Sequence, residues 1–288
     1  MADIRRIGTT TDILGEGPVW CPRERALYWV DIRGRMLRRY VERGEQVTSW
    51  PMPEDIGSLA ICEQGGVLLA LKSGIAIFDS MTAGFRKVAD LPEHGKTLRC
   101  NDGKCDRQGR FWVGTMELSE VGPTGKLYRL DDRGCTVMRR DIRIPNSLCW
   151  SPDGATMYWA DSPARKIWAY PYDTETGTPG EPRVFAEIAA PAVPDGATVD
   201  AEGYLWSAQY NGSRVVRYAP DGSTDRVITL PATQITSCAF GGANLSTLFI
   251  TSATQTLSAD ALATQPLAGE LFAVDVGVKG VREPRFAF

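Results

Sequence analysis

One pattern recurs along this chain every 41 to 49 residues: a polar start, an apolar run, a turn, and a second apolar run that ends in a small or acidic residue. The two clearest copies run from Glu16-Gly-Pro-Val-Trp20 to Leu27-Tyr-Trp-Val-Asp31 and from Asn146-Ser-Leu-Cys-Trp150 to Met157-Tyr-Trp-Ala-Asp161; in both, the second run begins 11 positions after the first. Copies starting at Asn101 and Asp195 have their second runs at Phe111 and Leu205, each 10 positions on. Gly57, and Thr236 or Ser237, start the remaining two. Starts at 16, 57, 101, 146, 195 and 237 give intervals of 41, 44, 45, 49 and 42 residues. A period of this size, carried by short strands and glycine-rich turns, belongs to a β-propeller in which each repeat is one four-stranded blade. The expected fold is therefore all-β: a six-bladed propeller of antiparallel four-stranded sheets, with residues 1–288 as one domain. A ring has to close, and Ile4-Arg-Arg-Ile7 is expected to pair with the C-terminal strands of the last blade, hiding edges that would otherwise lie open. Helical periodicity is scarce, and only Ser258 to Thr264 reads as a short helical turn.

The bulk numbers exclude several function classes. Net charge is −3, with 32 basic and 35 acidic residues interspersed. A nucleic-acid footprint needs a basic stripe, which this chain lacks. No apolar run approaches the roughly 18 residues of a membrane-spanning helix. The N-terminal Met-Ala-Asp-Ile-Arg-Arg has no apolar signal core, so the expected location is cytoplasmic. The seven cysteines show no CxxC spacing and read as reduced core thiols, with Cys149 and Cys238 in inner apolar stretches. The single histidine, His94, sits in the loop-like Pro92-Glu-His-Gly-Lys96. One histidine is too few for a histidine zinc site, and a Ser-His-Asp triad would have to depend on this loop residue.

In a propeller the innermost strands line a central channel, so equivalent positions in the repeat converge on one mouth. Glu16, Asn101, Asn146 and Asp195 occupy that shared position and carry hard oxygen donors, the set a divalent cation takes. Asp195 lies in Pro-Asp-Gly, ordinary turn chemistry that recurs at 152–154 and 220–222. The repeat, however, pairs Asp195 with Asn146 and not with Asp153. Asn101 could serve either metal or substrate. Arg99, two residues earlier on an extended segment, shares a face with Asn101 and suits a hydroxyl-rich or anionic ligand. Glu117 and Glu120 follow the strand Phe111-Trp-Val-Gly-Thr-Met116 and could reach over the mouth from a loop.

Leu14-Gly-Glu-Gly-Pro-Val-Trp20, Arg99-Cys-Asn-Asp-Gly-Lys104, Gly109-Arg-Phe-Trp-Val-Gly-Thr-Met116, Pro145-Asn-Ser147, Pro194-Asp-Gly196, Tyr210-Asn-Gly212 and Phe240-Gly-Gly242 occur in this order along the whole chain. Together they resemble the senescence marker protein/gluconolactonase/luciferin-regenerating-enzyme family. The resemblance implies a six-bladed propeller with one divalent cation (Ca²⁺, Zn²⁺, Mn²⁺, Mg²⁺ or Fe²⁺) held by Glu16, Asn146 and Asp195. It implies Arg99 and Asn101 as substrate-binding residues. Some members add a Glu just after Gly-Thr-Met; here Ser119 stands in that place, leaving Glu117 and Glu120 as the candidates. The implied reaction opens a sugar 1,4- or 1,5-lactone to the aldonate, with the cation polarising the carbonyl and Asp195 taking a proton from water. A phosphotriesterase-like hydrolase and a non-enzymatic calcium-binding protein are the competing readings.

Overall fold

The structure is a computed structural model that describes residues 3–288. Six antiparallel sheets follow one another along the chain, each built from consecutive strands except the last. Their innermost strands are Gly15–Cys21, Ile56–Ile61, Leu98–Cys105, Pro145–Trp150, Val193–Val199 and Ile235–Gly241. All six are almost wholly buried, which is why they read as continuous apolar runs with only short polar starts. They neighbour one another around a ring. Gly57 packs so tightly on the next blade that a Cβ would lie 2.3 Å from the Cys100 carbonyl carbon. Asn101 Nδ2 donates to the Pro145 carbonyl (2.9 Å), and Ser147 Oγ to the Asp195 carbonyl (2.6 Å). A Cβ on Gly196 would meet Ser237 Oγ at 2.0 Å, and Thr236 Oγ1 donates to the Gly15 carbonyl (2.5 Å), returning to the first blade.

Closure follows the expectation. Ile4–Ile7 pairs antiparallel with Leu271–Asp275, in the register Ile4 to Val274 through Ile7 to Leu271, and so supplies the outer strand of the sixth blade. The fourth blade departs from the simple pattern. Its outer edge is broken into Thr178–Pro179 and Arg183–Glu187, both paired with Lys166–Asp173. That broken edge lies in the longest repeat interval. The helical turn is Ala259–Thr264, capped by Ser258, whose Oγ accepts from the Ala261 N–H (3.2 Å). No helix among the described residues is long and apolar enough to cross a membrane.

Between blades the packing is aromatic. Trp112, Trp150 and Tyr172 form a triangle with ring centroids 5.8 to 6.0 Å apart. Beside it, fully buried Asp106 accepts from the backbone N–H groups of Gln108 and Arg110, from Arg110 Nε (2.6 Å) and from the Tyr172 hydroxyl (2.6 Å). Asp200 repeats the arrangement with the N–H groups of Glu202 and Tyr204, Trp206 Nε1 and Arg217 Nε. Asp12 binds Trp29 Nε1 and Arg38 Nε in the first blade. Cys149 and Cys238 are buried in their inner strands and unbridged.

Candidate active site

The six inner strands share one irregularity. Each breaks register with its neighbour within a few residues of its start: at Glu16/Val19, Ile56/Ser58, Cys100/Gly103, Asn146/Cys149, Pro194/Ala197 and Ile235/Ser237. A bulge bends the strand and re-aims a side chain. Here the six bulges coincide with the polar start of each repeat, at the same end of the channel. Two residues that follow candidate ligands, Gly17 and Ser147, take positive φ (55° and 60°). Glycine does so without strain. At Ser147 the conformation lies alongside the hydroxyl's bond to the Asp195 carbonyl.

The entry to two inner strands is pinned by the acid that ends the second strand of the same blade. Asp31 accepts from the Ile13 and Leu14 N–H groups (3.0 and 2.9 Å), and Asp161 from Arg143 and Ile144 (3.1 and 2.8 Å). Each clamp sits two residues upstream of Glu16 or Asn146. The repeat's acidic ending is thus a device for aiming its polar start.

Glu16, Asn101, Asn146 and Asp195 come together in a cavity of about 130 Å³ whose wall includes Arg99 and Glu120. The carboxyls of Glu16 and Asp195 face each other within hydrogen-bonding reach. Burial pushes Glu16 up to about 8, and the neighbouring Asp102 charge adds to the rise; the Gly17 N–H, the shared bond to Asp195 and Arg99 pull it down less strongly. Asp195 is raised well above the usual carboxylate range, by burial first and then by the charges of Glu16 and Asp102. Without a cation, simultaneous ionisation of the two acids is therefore opposed.

The amides are held in place by directional bonds. Asn146 Nδ2 donates to Ser162 Oγ (2.8 Å), which donates onward to the Pro194 carbonyl (2.7 Å). This fixes Asn146 Oδ1 on the other side, where it accepts from Asn101 Nδ2 (3.1 Å). Asn101 Oδ1 accepts from Arg99 Nη1 (2.7 Å). Arg99 is buried, and its Nε has no hydrogen-bond partner among the described residues. Desolvation lowers its pKa to about 10, with the nearby Arg33 charge the next cause.

The loop acids divide. Glu120 lines the cavity. Glu117 turns into its own loop, where its Oε2 accepts from Ser119 Oγ (2.7 Å) and the Gly122 N–H (2.9 Å). His94 lies in a different cleft with Lys72 and Lys96, donating from Nε2 to the Lys72 carbonyl (2.7 Å). Repeat reasoning passes over Ser162 and Tyr210, which line the cavity, and Asp102, which lies outside its wall and acts on Glu16 and Asp195 through its charge. Asp102 was hidden in an Asn-Asp-Gly that reads as a turn. Ser162 follows the repeat's terminal acid, and Tyr210 heads one of the ordered motifs, so both had a faint signal. Among the described residues no three His, Cys, Asp or Glu side chains form a cage; the oxygen set is two carboxylates and the Asn146 amide.

The 6-deoxy-6-sulfogluconolactonase of Pseudomonas putida is 41% identical over 278 residues, spanning 96% of this chain and 95% of that protein. The L-arabinolactonase of Azospirillum brasilense is 40% identical over 289 residues, spanning 98% and 94%. A crystal structure of a calcium-binding protein, regucalcin, from Agrobacterium tumefaciens superposes with a TM-score of 0.96 at 32% identity, covering 100% of this chain and 98% of that one. The family described as SMP-30/Gluconolactonase/LRE-like region matches residues 14–254, which include every candidate residue, and the chain belongs to that family.

Proposed function

We propose that this chain is a sugar lactonase that opens an aldonolactone to its aldonic acid with the help of one divalent cation. It is a carboxylic-ester hydrolase, as its lactonase relatives are. The observation that carries the reading is the pair Glu16 and Asp195: two buried carboxyls facing each other, with a fixed amide oxygen beside them and a buried guanidinium in the same wall. A site with this charge arrangement favours a small cation of charge +2 over a proton, and all its donors are hard oxygens. The set fits the cation, and Glu16, Asn146 and Asp195 are the residues that would hold it. Such an ion supplies Lewis acidity toward a carbonyl oxygen.

The rest of the chemistry belongs to the chain. Asp195, in its ionised form, accepts a proton from the attacking water. Arg99 lines the cavity with a buried guanidinium whose Nη1 is occupied by Asn101 and the Cys100 carbonyl, and it lends positive charge to an anionic or hydroxyl-rich substrate. Its contribution is orientation. Asn101, tied at both ends of its amide, holds that guanidinium in place. Burial of the site excludes bulk water and strengthens these interactions. No covalent enzyme intermediate is required, consistent with a cavity that contains no histidine among the described residues.

The test is turnover of xylono-, arabinono-, glucono- and galactonolactone, with an activated phosphotriester alongside, by protein stripped with EDTA and re-supplied with one metal at a time. Loss of lactone turnover on stripping and its return with one metal is expected. Lactone turnover that EDTA leaves untouched overturns the metal role. Calcium binding with no turnover of any ester moves the chain to a non-enzymatic calcium protein.

A further inference from the structure

The far mouth of the channel is closed by the end of the chain. After its last strand the chain bridges at Gly280 to Asp200 in the fifth blade, and the Gly280 N–H donates to Leu245 in the sixth (2.8 Å). Six residues later Phe286 pairs in parallel with Cys62, and its N–H donates to the Ile61 carbonyl (2.9 Å), both in the second blade. The Ala287 N–H reaches Gly109 in the third (3.2 Å). In a ring of six, the fifth–sixth and second–third junctions are diametrically opposite. The tail is therefore a strap across the full width of the lower face, and its midpoint, Glu283, lies on the axis beneath the site.

Glu283 reaches Lys104 (3.5 Å), Arg107 (3.5 Å) and Thr198 Oγ1 (3.2 Å), and its side chain and that of Lys104 are each 11% exposed. Lys104 Nζ donates to the Ala197 carbonyl (2.8 Å), two residues after Asp195. The same inner strand carries Asp102, whose Oδ2 accepts from the Leu148 N–H (2.8 Å), two residues after Asn146. Asp102 and Lys104 thus bind together the three inner strands that carry Asn101, Asn146 and Asp195, each tie made just below a site residue. These ties bury several charges where apolar residues would fill the channel at less cost in desolvation, so packing alone does not account for them.

We infer that Glu283 is a positioning residue for the active site, acting from the opposite face of the propeller through Lys104 to hold the strands of Asn101, Asn146 and Asp195 at cation-binding spacing. The inference rests on the proposed cation site but has a readout independent of it.

The experiment compares Glu283→Gln, Lys104→Met, Lys104→Arg and, as a tail control away from the axis, Arg285→Ala, which loses only the rim pairing with Glu63. Ca²⁺ affinity is measured by calorimetry on EDTA-stripped protein, together with kcat, KM and Tm. Amide hydrogen exchange is followed at 101–103, 146–148 and 195–197. Glu283→Gln is expected to weaken Ca²⁺ binding about 3- to 10-fold and Lys104→Met by more, less than the roughly 10- to 100-fold seen when groups bonded directly to metal ligands are changed. Both should speed exchange at the three upper segments, Lys104→Arg should recover part of the loss, and Arg285→Ala should change only Tm. Should Lys104→Met fail to fold, Glu283→Gln decides alone. Unchanged exchange at the upper segments in Glu283→Gln overturns the inference and leaves the tail a structural cap. Wild-type protein that binds no Ca²⁺ and opens no lactone overturns the proposed function instead, and exchange still decides on the brace.

Discussion

Two kinds of buried acid occupy this propeller. Asp106 and Asp200, between blades, are completely enclosed, and every approach to them is from a donor: backbone N–H groups, an indole or phenol, and an arginine. Glu16 and Asp195, at the channel mouth, are almost as buried, at 6% and 7% exposure, yet they face each other. Burial alone does not separate a structural carboxylate from a functional one; the company does. Where donors surround the charge, ionisation is stabilised and the acid acts as a rivet. Where two carboxyls confront one another, ionisation is opposed, and the fold carries a local cost that a bound cation relieves.

The largest effects should come from exchanging one member of each kind. On the proposed function Asp195→Asn is expected to lower kcat by about 10³-fold or more, because it removes the proposed base and cation ligand together. Its Tm without metal should stay level or rise, because one of two opposed acids is gone. Asp200→Asn should do the reverse. It removes the carboxylate that Arg217 Nε and Trp206 Nε1 share, leaving Arg217 with Asp225 and Glu202, at about 1–3 kcal/mol of stability, while the fraction that folds keeps kcat within about 2-fold of wild type. Steady-state kinetics beside urea denaturation reads both. A stable but inactive Asp200→Asn would break the distinction.

A pH series sharpens it. Glu16 has its folded-state pKa raised to about 8 from an ordinary 4.5. Between those values the folded protein holds a proton that the unfolded chain has released, so stability falls as pH rises through this window. Metal-free protein should lose on the order of a few kcal/mol from pH 4.5 to 8. Saturating cation should restore much of it, since an ion bound only to the folded state stabilises that state. Glu16→Gln should flatten the metal-free curve. Urea midpoints across the range measure this, and a wild-type curve that rises over the window would contradict the opposed-acid geometry.

The ring was legible because propeller blades repeat. Equivalent repeat position makes Glu16, Asn101, Asn146 and Asp195 neighbours at one mouth, and the need to close an edge places Ile4–Ile7. What the spacing could not carry was direction. Whether Asp102 points up to the cavity or down the channel depends on a bulge that inserts one residue and resets the alternation of faces. Likewise, the sequence 279–287 has no repeat partner, so nothing in the period revealed that it crosses the axis. The caging acids Asp106 and Asp200 do share a local pattern, Asp-x-x-Gly followed three residues later by Trp, but it sits in a turn and reads as turn chemistry.

The smallest expected effect separates two acids only three residues apart. Glu117 and Glu120 had equal standing from the chain alone. Glu117 is spent within its loop, its carboxylate held well into the ionised range by Ser119 and the Gly122 N–H. Glu120 lines the cavity from a backbone of positive φ (60°), and its carbonyl accepts from Arg143 Nε (2.9 Å), which holds the loop over the site. Such a conformation is uncommon for a residue with a side chain and points to function when it borders a site. Glu120→Gln keeps the shape and removes the charge; it should raise KM for a lactone by about 3- to 10-fold with kcat nearly unchanged, the pattern of lost substrate binding. Glu117→Gln should leave both constants within about 2-fold, since it alters only an exposed loop away from the cavity wall. If the two variants behave alike, neither carboxylate reads the sugar. If Glu117 proves the stronger, the loop opens when substrate binds and turns its carboxylate inward.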